Sequence, residues 1–109
     1  MEQIQYPLHA LAYALNPEYY DDAYLSKFGG RRKAPNKDSE VANCFRTAIS
    51  KICSDLIELA ELKNQFTSFI TESGAFGNVN ALADRGIMTP SSWWGYYGAQ
   101  TPDLQTLAL

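Results

Sequence analysis

Apolar residues recur along this chain at the spacing of an α-helix, and almost nowhere at the two-residue spacing of a β-strand. Near the start of the chain, one stripe falls at positions i, i+3, i+4 and i+7: Leu8, Leu11, Ala12 and Leu15. A second stretch, from Val41 to Cys53, keeps the same period. No run of four or more residues alternates with β-branched enrichment. The pattern predicts an all-α fold, irregular and small, of about six helices.

Capping and turn signals divide this pattern into separate helices. Pro7 stands in a first turn, where a helix tolerates proline. Asp55, with Glu58 three residues later, resembles a capping box, and Gly74 stands where a helix-ending glycine is expected. The predicted helices cover residues 7–15, 40–53, 56–73, 79–85, 90–97 and 102–109. We expect the helices 40–53 and 56–73 to pack antiparallel, with one continuous rod as the alternative.

Length and charge limit the classes of protein to be considered. The 109 residues allow one domain at most, so residues 1–109 are treated as a single helical region. A net charge of −3 argues against a protein built mainly around nucleic-acid binding, although a local basic patch is compatible with it. No stretch approaches 18 apolar residues, so we expect an intracellular chain without a membrane partner.

Few residues have the types and spacing that catalysis or metal binding needs. A metal site takes three or four converging ligands, and His9 is the single histidine. Asp21 and Asp22 form the only adjacent carboxylate pair, and two neighbouring acids in a tyrosine-rich segment are typical of a turn. Cys44 and Cys53 would lie about 13 Å apart on one helix, beyond the reach of a disulfide, so we interpret them as small buried apolar residues. The sequence predicts no catalytic residue, no metal site and no cofactor.

Positive charge is concentrated in one short stretch. Five of the nine lysines and arginines lie within eleven residues: Lys27, Arg31, Arg32, Lys33 and Lys37. Gly29-Gly30 and Pro35 in the same stretch predict a flexible basic loop over residues 26–38. A solvated loop is the favoured interpretation. The alternatives are contacts to nucleic-acid phosphates without sequence readout and a nuclear-import signal.

The densest aromatic cluster precedes the final predicted helix. Trp93, Trp94, Tyr96 and Tyr97 fall within five positions, and such a cluster can stack bases or form the centre of an interface. We expect one tryptophan to be buried and the other to lie at a seam. The final helix carries an apolar stripe that its neighbour covers only in part, which predicts either self-association or a poorly soluble monomer. The predicted interaction residues are Trp93, Trp94, Tyr97, Leu104 and Leu107.

Several segments together resemble a known family. Plant hAT-type transposases and their domesticated relatives carry a segment HPLHAAGYFLNP, which residues 6–17 of this chain resemble. The family pattern "EV … GxFG … PxxWWxxYG … PxLQxLA" then recurs here in the same order. Its matching positions are Glu40-Val41, Gly74-Ala75-Phe76-Gly77, Pro90, Trp93-Trp94, Tyr97-Gly98, Pro102, Leu104-Gln105 and Leu107-Ala108. The match spans nearly the whole chain.

The resemblance implies part of a ribonuclease H-like transposase: the end of its helical insertion and the entry into its C-terminal dimerisation region. None of the family's catalytic acids has a matching position here, and neither does its zinc-binding BED finger. The resemblance thus implies a truncated, catalytically inactive, nuclear chain that associates with itself or a related hAT-like chain and reaches DNA through the rest of the parent protein. The alternatives are a helical nucleic-acid-binding module that uses Lys27–Lys37, and a transposase fragment complemented in trans.

Overall fold

All regular structure in residues 7–30 and 32–108, which the computed structural model describes, is helical. The all-α prediction is confirmed, and each of the six predicted helices is present within three residues of its predicted bounds. Three 3₁₀ turns, Pro17–Tyr20, Pro35–Lys37 and Gly74–Gly77, connect the helices. None of the helices described is long and apolar enough to cross a membrane.

The described residues form eight α-helices. They are α1 (Pro7–Ala14), α2 (Asp22–Leu25), α3 (Lys27–Gly30), α4 (Ser39–Ile52), α5 (Leu56–Ile70), α6 (Val79–Asp84), α7 (Pro90–Tyr97) and α8 (Pro102–Ala108).

Side-chain caps explain where the two longest helices begin. The Asp38 carboxylate accepts hydrogen bonds from the backbone N–H groups of Glu40 and Val41, at 3.0 and 3.3 Å. The Asp55 carboxylate does the same for Ile57 and Glu58, at 2.8 and 3.1 Å. Both carboxylates satisfy amides that have no partner within the helix. The start of each helix is therefore determined by its local sequence.

The relation between α4 and α5 differs in part from the prediction. Cys53 is extended, with φ −124° and ψ 110°, so the two helices are separate. The rings of Phe45 and Phe66 lie 4.3 Å apart, whereas a continuous rod would separate these residues by about 31 Å. The rod is excluded, and the two helices turn back toward each other. The main packing partner of α4 is nevertheless α1, because the Phe45 and Phe66 rings stand between the backbones of α4 and α5.

The left-handed residue that follows α5 is a glutamate, not the predicted glycine. Glu72 is left-handed, with φ 57°, and the next amide, of Ser73, donates to the Ser68 carbonyl at 2.9 Å. This hydrogen bond is typical of a helix end whose first outside residue is left-handed. A non-glycine residue in this conformation costs about 1 kcal/mol. The Glu72 carboxylate accepts a hydrogen bond from Arg85, so this residue contributes an ionic contact that glycine could not make.

Both tryptophans are buried in the core, although one was predicted to lie at a seam. Trp93 and Trp94 are 1% and 0% exposed. The ring of Phe69 on α5 lies 5.8 Å from the Trp93 ring and 4.9 Å from the Trp94 ring. Phe76 stacks on Trp93 at 5.7 Å, with an interplanar angle of 11°. The expectation fails because phenylalanines from α5 and from the 3₁₀ turn Gly74–Gly77 cover both tryptophans.

Helix α8 is covered on more sides than the sequence predicts. Leu104 is 0% exposed, and α8 packs against α5, α7 and α1. The Leu104 amide donates to Gln65 Oε1 on α5 at 3.0 Å. Gln105 Nε2 donates to the Trp94 carbonyl on α7 at 2.9 Å. The prediction that Leu104 is an exposed contact is therefore wrong, because α5 and α1 close the side that α7 leaves open.

The burial of Leu104 can be tested by its truncation. Leu104→Ala removes a completely buried side chain, so we expect the free energy of unfolding to fall by about 2–5 kcal/mol in urea titrations. Ile87→Ala, at a largely exposed position, is the control and should change it by no more than about 0.5 kcal/mol. Equal effects of the two substitutions would contradict the packing described for α8.

Candidate interaction surface

The basic residues predicted to form one loop are spread over several elements. Lys27 lies on α3, Lys33 in the following link and Lys37 at the end of a 3₁₀ turn, and all three are exposed. The Arg32 guanidinium lies 4.1 Å from the centroid of the Tyr24 ring, a cation–π contact. Arg31 is outside the described residues. Contact between these residues and nucleic acid stays a prediction.

The segment that contains these basic residues is not an exposed loop throughout. Ala34 and Pro35 are buried, and the 3₁₀ turn that Pro35 begins packs against α1 and α4. Part of the predicted loop 26–38 is therefore docked on the core. The proline ring explains this, since it presents apolar surface to both helices and sets the backbone for the turn that leads into the Asp38 cap.

A buried arginine that the sequence did not single out joins three parts of the fold. Arg85, which follows α6, is buried, and its Nη1 lies 3.2 Å from Glu72 Oε2. Its Nη2 lies 3.6 Å from Asp21 Oδ1. Asp21 begins α2, as predicted for a turn residue, and its side chain is used for this ion pair. Two carboxylates compensate the guanidinium, so the cluster acts as a structural link between α2, α5 and α6.

Tyr97, one of the predicted interaction residues, is committed to a contact within the fold. Its hydroxyl donates to Asp84 Oδ2 at 2.6 Å. This hydrogen bond, desolvation and the charge of Asp84 together raise the pKa of Tyr97 to about 12. The ring packs beside Trp93, with the centroids 5.4 Å apart. Tyr97 is partly buried and holds α7 against α6.

Cys44 lies on α4, and Cys53 follows directly after it. Neither Cys44 nor Cys53 forms a disulfide within the described residues, and both are partly rather than fully buried. Desolvation, followed by the charge of Glu58, raises the pKa of the Cys53 thiol, which favours its protonated form. Over the described part of the chain, no three His, Cys, Asp or Glu side chains are placed to hold a metal ion. The side chain of His9 lies outside the description.

Two of the predicted interaction residues line grooves of about 520 Å³: Tyr97 lines one beside α6, and Leu107 lines another. The groove of Leu107 lies between α8 and the turn from α4 to α5. Ile52 and Leu62 supply further apolar surface to this groove. Three carboxylates lie along it, those of Asp55, Glu58 and Asp103.

The largest aliphatic exposure close to this groove is at the turn itself. Ile52 ends α4 and is 52% exposed. Leu56 and Ile57 begin α5 and are 80% and 78% exposed. We refer to Ile52, Leu56 and Ile57 as the α4–α5 corner. The three residues lie within six positions of the sequence, and a patch of exposed apolar side chains is typical of a surface that binds another protein.

No protein-family model, no curated protein sequence and no solved structure matches this chain. The resemblance to hAT-type transposases therefore rests on the sequence motifs alone.

The contact between Tyr97 and Asp84 predicts a specific pH dependence. A tyrosine has a pKa of about 10 when unperturbed, so the stabilisation from this contact is complete below pH 10 and is lost as the pH rises through about 12. Asp84→Asn should move one phenolate transition in the ultraviolet absorbance titration from near pH 12 toward pH 10, with helicity followed in parallel. Asp103→Asn is the control. Identical titration curves for Asp84→Asn and the unmodified protein would refute the assignment.

Proposed function

We propose that this chain is a helical protein-association module, related to the hAT dimerisation region, that acts by binding another chain and not by catalysis. The observation that carries the proposal is the exposure of three large aliphatic side chains at the α4–α5 corner. The motif resemblance supports the relation to hAT-type proteins and, with it, a nuclear location.

The burial pattern argues that the corner is a binding surface. The fold buries the large apolar side chains of both tryptophans and Leu104 almost completely. Leu56 and Ile57 lie in the first turn of α5 and are largely exposed. The Asp55 side chain alone caps this helix, so the cap does not need an apolar side chain at either position. Covering such side chains is worth about 25 cal/mol per Å² of apolar surface removed from water. Contact with a second chain would provide that cover.

The groove beside the corner extends the same surface. Ile52 belongs to the corner and also lines the groove that contains Leu107. A partner seated on the corner would therefore meet Leu107 as well, a predicted interaction residue that is only partly buried. A second copy of this chain is the proposed partner. Two-fold pairing would place the same surface on both sides of the contact.

This proposal predicts the effect of making the corner polar. Leu56→Ser with Ile57→Ser should shift the chain toward the monomer in sedimentation equilibrium and raise the dissociation constant by at least tenfold, because both side chains lose their apolar cover. Helical content should be unchanged, since neither residue is part of the core.

Two equally exposed aliphatic residues elsewhere provide the matched control. Val79 and Ile87 are 78% and 80% exposed, so Val79→Ser with Ile87→Ser removes similar apolar surface at another place. The control should associate as the unmodified chain does. Equal behaviour of the two double variants, or an unmodified chain that is monomeric at all concentrations, would contradict the proposal.

A further inference from the structure

A cavity of about 300 Å³ lies between α1, α4, α5 and the 3₁₀ turn Pro35–Lys37. Its floor is apolar and belongs to the core, since its residues are almost completely buried from solvent. The floor consists of Ala14, Pro35, Val41, Phe45 and Ile49. Phe66 and Ile70 of α5 form the opposite wall. The cavity is a gap in the core that opens to the surface.

The packing of α4 against α5 explains why this space is left unfilled. The rings of Phe45 and Phe66 meet at 4.3 Å and hold the two helix backbones apart. Beside this pair, Ala14 of α1 and Ala42 of α4 line the cavity with single methyl groups, which do not reach across it. An apolar space of this kind favours an apolar occupant over water.

The mouth of the cavity is positively charged. Arg46 and Lys63 line it and are exposed, and no aspartate or glutamate is among the described residues that line it. One Arg46 nitrogen donates to Asn43 Oδ1, and a guanidinium has five N–H donors in all. Two cations beside an apolar cavity contrast with the net charge of −3 of the whole chain.

We propose that this cavity binds a small amphiphilic carboxylate, with its apolar body against Phe45, Val41 and Ile49 and its carboxylate at Arg46 and Lys63. The volume is at the lower end of the range for ligand sites. It corresponds to the volume of about ten water molecules at about 30 Å³ each. Arginine and a carboxylate pair through parallel hydrogen bonds, which gives the mouth a preference for this head group. The site is separate from the α4–α5 corner and does not depend on association.

Titration calorimetry of the full chain with decanoate and with decylamine tests the proposal. The two probes have similar apolar tails and opposite charges. Decanoate should bind with one site per chain and at least tenfold more tightly than decylamine. Ala42→Phe fills the cavity and should weaken decanoate binding by at least tenfold. Arg46→Glu with Lys63→Glu should reverse the preference between the two probes.

A control pair makes the same change of charge at exposed lysines that do not line the cavity. Lys27→Glu with Lys51→Glu should keep the preference for decanoate. If decylamine binds the unmodified chain as tightly as decanoate, or if the control pair weakens decanoate binding as much as the Arg46 and Lys63 pair does, the proposal is wrong. Should Ala42→Phe fail to fold, the charge-reversal pair still decides, because Arg46 and Lys63 are both exposed.

Discussion

A buried hydrogen bond between α7 and the end of α1 joins distant parts of the chain. The indole Nε1–H of Trp94 donates to the carbonyl oxygen of Leu15 at 2.6 Å, across 79 residues of sequence. That carbonyl follows directly after α1, where helix carbonyls lack a partner within the helix. Both groups are removed from water, so loss of either partner would leave the other buried and unsatisfied. The position of α7 relative to α1 therefore depends on this contact.

Trp94 also contacts the other elements that surround it. Gln105 of α8 donates to its carbonyl, and a side chain at Gly98 would place its Cβ 2.6 Å from that oxygen. Phe69 packs on its ring from α5, and Tyr20 meets Phe69 edge-on at 4.9 Å. The radius of gyration, 13.6 Å, is close to the value of about 13 Å for a compact domain of this length. The tryptophan thus organises a core in which α1, α5, α7 and α8 all take part.

The local features of this fold could be predicted, whereas the partners of each surface could not. Caps such as Asp38 and Asp55 and the apolar period act within a few residues, so the helix bounds were predictable. The burial of Leu104 depends on Gln65, which is 39 residues away. Arg85 is buried because Glu72 and Asp21 come from other elements. Four aromatic residues on one short helix gave no basis for separating the core tryptophans from the exposed Tyr96. In the candidate surface, Leu107 was predictable from its stripe. The corner residue Leu56 belongs to the apolar stripe of its helix, so the sequence gives no sign of its exposure.

Amide hydrogen exchange of Trp94→Phe tests this account most directly. Phenylalanine keeps an aromatic ring but removes the N–H that bonds to Leu15, so amides of α1 and α7 should lose protection together. The free energy of unfolding should fall by about 2–4 kcal/mol. Trp93→Phe is the control, because the Trp93 indole donates to Ala81 of α6 at 2.9 Å and should loosen α6 instead of α1. Protection in α1 that is unchanged by Trp94→Phe, or reduced equally by Trp93→Phe, would contradict the central role of the bond between Trp94 and Leu15.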